Sequence, residues 1–220
     1  PSAVQAADWP GWRGQSRDGH AADALPTQLE TAPKALWRKP IGHGYSGVVV
    51  SGKKLVFLDD SSGQETAHCL DAGTGRELWS QPFAEQYADE FEPGPRCTPL
   101  IDGQRIYVQS CFGEFACLSL NDGKKQWGFH FRDYGMFWVK DRSGGPGAAN
   151  RRGNSGSAAI AGDSIFIQIG STNGASIAAF DKMSGKLLWK SQDDLTSYAS
   201  LMTGTLGGRK QAIAVTCEGL

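Results

Sequence analysis

The sequence predicts an all-β fold, a β-propeller of four-stranded antiparallel blades, and three observations predict it. A gapless block ending in Trp occurs three times, at Cys69–Trp79, Cys117–Trp127 and Ala179–Trp189. Ahead of each block stand two short apolar runs separated by a glycine turn: Val48–Gly52 with Leu55–Leu58, Pro99–Gly103 with Ile106–Val108, and Ala158–Gly162 with Ile165–Ile167. The composition, with 29 glycines in 220 residues and only 20% charged side chains, suits a turn-rich β protein. Four short strands recurring every ~40–50 residues are the signature of a propeller blade.

Taken in order, residues 1–34 read as an export remnant and an extended lead-in. Val4-x-Ala6 resembles the last positions before a signal-peptidase cut. Residues 35–40, around Trp37, read as a closing outer strand. Blades follow at 45–83, 96–132 and 154–192. A partial blade at 198–220 holds two strands around Gly207 and Gly208. Glycine at the hairpin tips supplies the positive φ of tight turns, and the runs are rich in Val, Ile and Phe, as half-buried strands should be. The insertion 133–153 joins one blade's outer strand to the next blade's inner strand, on one rim.

The formal net charge is −1, which gives no electrostatic reason to expect nucleic acid or an anionic membrane surface. No apolar run approaches the ~18 residues of a transmembrane segment. Five cysteines lack any C-x-x-C spacing, so no metal site is expected. They read mostly as small buried side chains, with Cys111 and Cys117 placed to face each other across the turn between them. Gly42–Gly47 matches G-x-G-x-x-G. It precedes a strand rather than a helix, which argues against a dinucleotide loop.

Leu70-Asp71-x-x-Thr74-Gly75-x-x-x-Trp79 and Phe180-Asp181-x-x-Ser184-Gly185-x-x-x-Trp189 resemble the repeat of pyrroloquinoline-quinone (PQQ) enzymes. The block at 117–127 departs from it, with Ser119 for Asp and Gly123 closing its turn. The opening Trp9–Gly14 with Asp18-Gly19 also resembles the start of secreted bacterial proteins of this PQQ-like group. The resemblance implies a ring of seven or eight blades, of which about three and a half are present. It gives Trp37, Trp79, Trp127 and Trp189 a blade-packing role beside Asp71, Gly75, Gly123, Asp181 and Gly185. It also implies a periplasmic or extracellular protein.

Two function classes stay open. One is a non-catalytic interaction scaffold of the cell envelope, similar to assembly factors of the BamB type. Its protein partner would meet the rim insertion through Tyr134, Phe137, Trp138, Arg142, Arg151 and Arg152, since long glycine-rich loops are often functional. The other is a PQQ-dependent alcohol or sugar dehydrogenase with calcium. In that case Tyr45, Arg96, Thr98, Asn154 and Ser155, which lead into the inner strands, converge on the channel mouth, and Arg96 and Asn154 face the quinone carboxylates. No Cys-Cys pair and no matched set of calcium ligands accompanies the repeat, which favours the scaffold.

Overall fold

The computed structural model describes residues 7–21, 34–89, 91–136 and 153–220. Among them the chain is all-β apart from one 3-10 turn, Phe131–Tyr134. The first blade is β1 (Val49–Ser51), β2 (Lys54–Ser61), β3 (Gln64–Asp71) and β4 (Glu77–Glu85). The second is β5 (Leu100–Asp102), β6 (Arg105–Gln109), β7 (Glu114–Ser119) and β8 (Lys125–His130), and the third is β9 (Ala159–Ala161), β10 (Ser164–Ser171), β11 (Ala175–Asp181) and β12 (Leu187–Ser191). A hairpin of β13 (Met202–Leu206) and β14 (Arg209–Ile213) follows. In each complete blade the strands pair in chain order, antiparallel throughout.

Strand alternation divides each blade between its neighbours. Ile106, Val108, Ala116 and Leu118 join Val49, Val56, Leu58, Cys69 and Trp79 in one core, between blades one and two. Tyr107, Phe115 and Cys117, from the opposite face of the same strands, join Ile165, Ile167 and Phe180 between blades two and three.

The repeated glycine explains the repeated Trp. Gly75, Gly123 and Gly185 have φ of 71°, 73° and 72°, which only glycine adopts freely. A Cβ there would lie 2.6 Å from Trp37, 2.7 Å from Trp79 and 2.5 Å from Trp127. Each indole therefore lies flat on the turn of the following blade. Asp71 and Asp181 hold the turn, each accepting a backbone N–H and a hydroxyl hydrogen from Thr74 or Ser184. Those bonds, hydroxyl foremost, hold both carboxyls below their ordinary range. Trp189 differs: it is 44% exposed, beside Phe166 and a groove edged by β13 and β14.

Residues 7–21, within the expected lead-in, form a strap along the inner strands. Asp8 accepts from the Ser51 hydroxyl and the Gly52 amide, both at 2.7 Å. Trp9 and Val50 exchange backbone bonds, and the Ile101 amide donates to Pro10 O. Arg17, at φ 58°, donates to Ala158 O at 3.0 Å and Leu201 O at 2.6 Å. One short segment thus touches the inner strand, or its lead-in, of every blade described.

The cysteines correct one expectation. Cys111 does not face Cys117; it clusters with Cys97 and Tyr87, while Cys117 lies opposite Trp127 in the second core. Four of the five are buried, and all five are free thiols.

Candidate functional site

The inner strands begin at Val49, Leu100, Ala159 and Met202, and two residues before each stands Gly47, Thr98, Ser157 or Ser200. These positions form a ladder across the blades. The Gly47 amide donates to Thr98 Oγ1 at 3.3 Å, the Thr98 amide to Ser157 Oγ at 3.0 Å, and the Ser157 amide to Ser200 Oγ at 3.0 Å. Gly47 is required by closeness, since a Cβ would lie 2.7 Å from Thr98 Oγ1. A hydroxyl that accepts an amide through one lone pair still carries its own proton. Three O–H groups therefore stand in a row across the lead-ins to the inner strands.

The row floors a cleft of about 800 Å³ lined by Trp12, Tyr45, Asp89, Phe91, Arg96, Ser155 and Tyr198 as well as Thr98, Ser157 and Ser200. Tyr45, Phe91 and Tyr198 are 56%, 58% and 45% exposed. Arg96 is fixed between rings, its guanidinium 4.3 Å from the Tyr45 centroid and 5.3 Å from that of Tyr87. Its Nη2 donates to Asp89 Oδ1 and to Glu92 O, both at 2.7 Å. Burial works against the Asp89 carboxylate, but the Phe91 amide, the Tyr87 hydroxyl and Arg96 together hold it below its ordinary range. Trp12 is held from the strap by Arg13 and Arg17, 5.5 and 5.6 Å from its ring. Burial lowers Arg17 to about 10.

Of the residues read from the sequence, Tyr45, Arg96, Thr98 and Ser155 line the cleft together. Asn154 does not. It is 1% exposed, its Nδ2 donates to Gln168 O and Ile169 O, and its oxygens accept from Gln109. It locks blade two to blade three instead of facing a ligand. Tyr134 packs edge-on against Phe129 at 5.3 Å and Phe180 at 5.2 Å, so it belongs to a blade junction. Phe137, Trp138, Arg142, Arg151 and Arg152 lie outside the described residues. Sequence reasoning missed Trp12, Asp89, Phe91 and Ser157. Only Ser157 carried a signal, its offset from the inner strand matching that of Thr98.

Calcium takes roughly six to eight oxygen ligands, several of them carboxylates. Among the lining residues Asp89 is the one carboxylate, and it is bonded to Arg96. No group of three His, Cys, Asp or Glu side chains suited to a metal occurs among the described residues. The cleft residues described therefore do not fit a calcium-bound quinone.

A family model described as outer membrane protein assembly factor BamB matches residues 29–201. No curated protein matches. Among solved structures, the quinohemoprotein alcohol dehydrogenase of Comamonas testosteroni is similar over 77% of this chain and 32% of its own, at 17% identity and a TM-score of 0.51. BamB from Moraxella catarrhalis is similar over 74% of this chain and 41% of its own, at 19% identity and a TM-score of 0.44. A europium-containing methanol dehydrogenase matches over 77% and 37%, at 17% identity and a TM-score of 0.49. These likenesses are of fold alone, and the chain spans between 32% and 41% of those proteins' lengths.

Proposed function

Because this chain belongs to the family described as outer membrane protein assembly factor BamB, we propose that it serves as a non-catalytic interaction scaffold in the cell envelope. The observation that supports this reading best is the state of the charges in the cleft. Arg96 and Asp89 neutralise each other at 2.7 Å, and among the described residues that line the cleft Asp89 is the one carboxylate. A fold shared with dehydrogenases does not carry their chemistry, because function lies in the site and not in the architecture. No helix among the described residues is long and apolar enough to cross a membrane. In this proposal the insertion 133–153 carries the partner surface, through Phe137, Trp138 and its arginines. Aromatic and Arg side chains dominate protein interfaces.

Two measurements on the full-length protein test the proposal. Calorimetric titration with PQQ and calcium is expected to give no saturable heat; saturable binding would replace the scaffold reading with the dehydrogenase one. Affinity capture from cell envelopes is expected to retain an outer-membrane assembly component with the native protein and lose it with the double variant Trp138→Ala, Arg151→Ala. Equal retention by both would remove the insertion from the interface.

A further inference from the structure

The geometry points to a neutral saccharide as the ligand of the cleft ahead of the inner strands, an inference that rests on the non-catalytic reading proposed above. Three features define the ligand class. The first is aromatic surface from four separate segments: Trp12 from the strap, Tyr45 before β1, Phe91 before β5 and Tyr198 before β13. Three of these rings are about half exposed. Exposed apolar surface gathered within one concavity marks a ligand site more often than scattered exposure does.

The second feature is the hydroxyl row. Thr98, Ser157 and Ser200 each receive an amide from a neighbouring lead-in, which fixes the oxygen and leaves the O–H to donate. An entirely apolar ligand would strip water from those groups and return nothing. The ligand must therefore carry acceptor oxygens along one edge. The third feature is charge. Among the described residues Arg96 and Asp89 are the charged side chains of the lining, and they pair at 2.7 Å. A planar polycarboxylate would bring several negative charges to one cation already bonded to a carboxylate. A pyranose has what remains: an apolar C–H face to lie on an aromatic ring, an equatorial rim of oxygens to accept from hydroxyls, and no net charge. The volume, about 800 Å³, lies within the usual range for small-molecule sites.

The test is titration of the full-length protein with cellobiose and with chitobiose, followed by calorimetry and by saturation-transfer NMR. At least one disaccharide is expected to bind saturably, with magnetisation transferred to its axial ring protons. Tyr45→Ala and Trp12→Phe should each weaken that binding roughly tenfold or more. Tyr45 is more than half exposed, so its variant is expected to melt with the native protein. Trp189→Phe, outside the cleft, should leave the affinity unchanged. Failure of the native protein to bind either sugar, or binding indifferent to both cleft variants, overturns the saccharide assignment and leaves the scaffold reading standing. Saturable PQQ binding overturns both.

Discussion

Between the first and second blades the buried surface is aliphatic: Val49, Val56, Leu58, Ile101, Ile106, Val108 and Leu118, with Trp79 closing it. Between the second and third it is aromatic. Phe115 stacks with Phe129 at 5.5 Å and Trp127 at 6.0 Å, and Phe129 stacks on Phe180 of the next blade at 4.4 Å. The closing tryptophans differ too. Trp79 Nε1 donates to Leu120 O at 3.1 Å, as Trp37 Nε1 does to Ala72 O at 3.0 Å. The matching carbonyl at the next junction, Lys182 O, accepts from the Tyr107 hydroxyl at 2.9 Å, and Trp127 Nε1 is left without a partner. A third difference is a buried acid. Glu65 is 0% exposed near the first junction, where the repeat places Gly113 and Ala175 in the later blades. The same backbone repeat therefore accommodates two kinds of contact. What it preserves is the indole-on-glycine contact, not the hydrogen bond that usually accompanies it.

The largest expected effect comes from removing a ring. Phe115→Ala should cost about 3–5 kcal/mol of stability, from the cavity and the lost ring pairs. Leu118→Ala, on the other face of the same strand, should cost about 2–3 kcal/mol. Chemical denaturation of both variants checks the order, and equal losses would show that stacking adds nothing beyond area.

The next effect distinguishes the junctions by pH. Burial, with neither carboxyl oxygen hydrogen-bonded, pushes the Glu65 carboxyl up to about 8; the nearby Ser110 hydroxyl opposes this and the Glu114 charge adds to it. In the unfolded chain the group titrates near its ordinary 4.5. Between those values folding must take up a proton, so the stability held by neutral Glu65 is full below pH 4.5 and is lost as the pH rises through 8. Glu65→Gln should remove this dependence, with a gain on the order of a few kcal/mol above pH 8 that closes toward pH 5. Melting temperatures across that range test it, and parallel curves for the two proteins would refute it.

The smallest effect is the sharpest. Trp79→Phe takes from Leu120 O the buried one of its two donors, leaving Lys54 Nζ at 3.0 Å, whereas Trp127→Phe removes an N–H that had no acceptor. The first should cost about 1 kcal/mol more than the second. Tyr107→Phe on its own, with Trp127 kept, frees Lys182 O for the indole N–H, so that variant should be nearly neutral. A cost as large as that of Trp79→Phe would mean the indole does not take over the carbonyl.

The propeller was legible because its information is local. Asp71, Thr74, Gly75 and Trp79 encode a turn and its neighbour's docking surface within one short block, and each copy repeats it. The cleft was legible only in part. Tyr45, Arg96, Thr98 and Ser155 could be placed at the mouth by their offset from the inner strands. The same offset could not show that Asn154 turns inward to bond Gln168 and Ile169 carbonyls, because side-chain direction depends on the facing blade. Trp12 and Arg17 carried no periodic signal. Arg17's partners, Ala158 and Leu201, lie far away in the chain, and a polar, glycine-rich segment reads as an extended lead-in until its bonds are seen.

Those distant partners alter how the protein assembles. A repeat array gains each unit's stability from its immediate neighbours and can grow from any point. The strap breaks that rule. The bonds from Arg17 to Ala158 and Leu201 span 141 and 184 residues, among the highest sequence separations a chain of this length can close, and such closures are slow. The strap, made before the blades it clasps, is therefore the last to seat. Until the lead-in to β13 has emerged, Arg17 lacks the Leu201 carbonyl that completes its clasp, and the strap's bonds to the inner strands are finished only after the blades themselves.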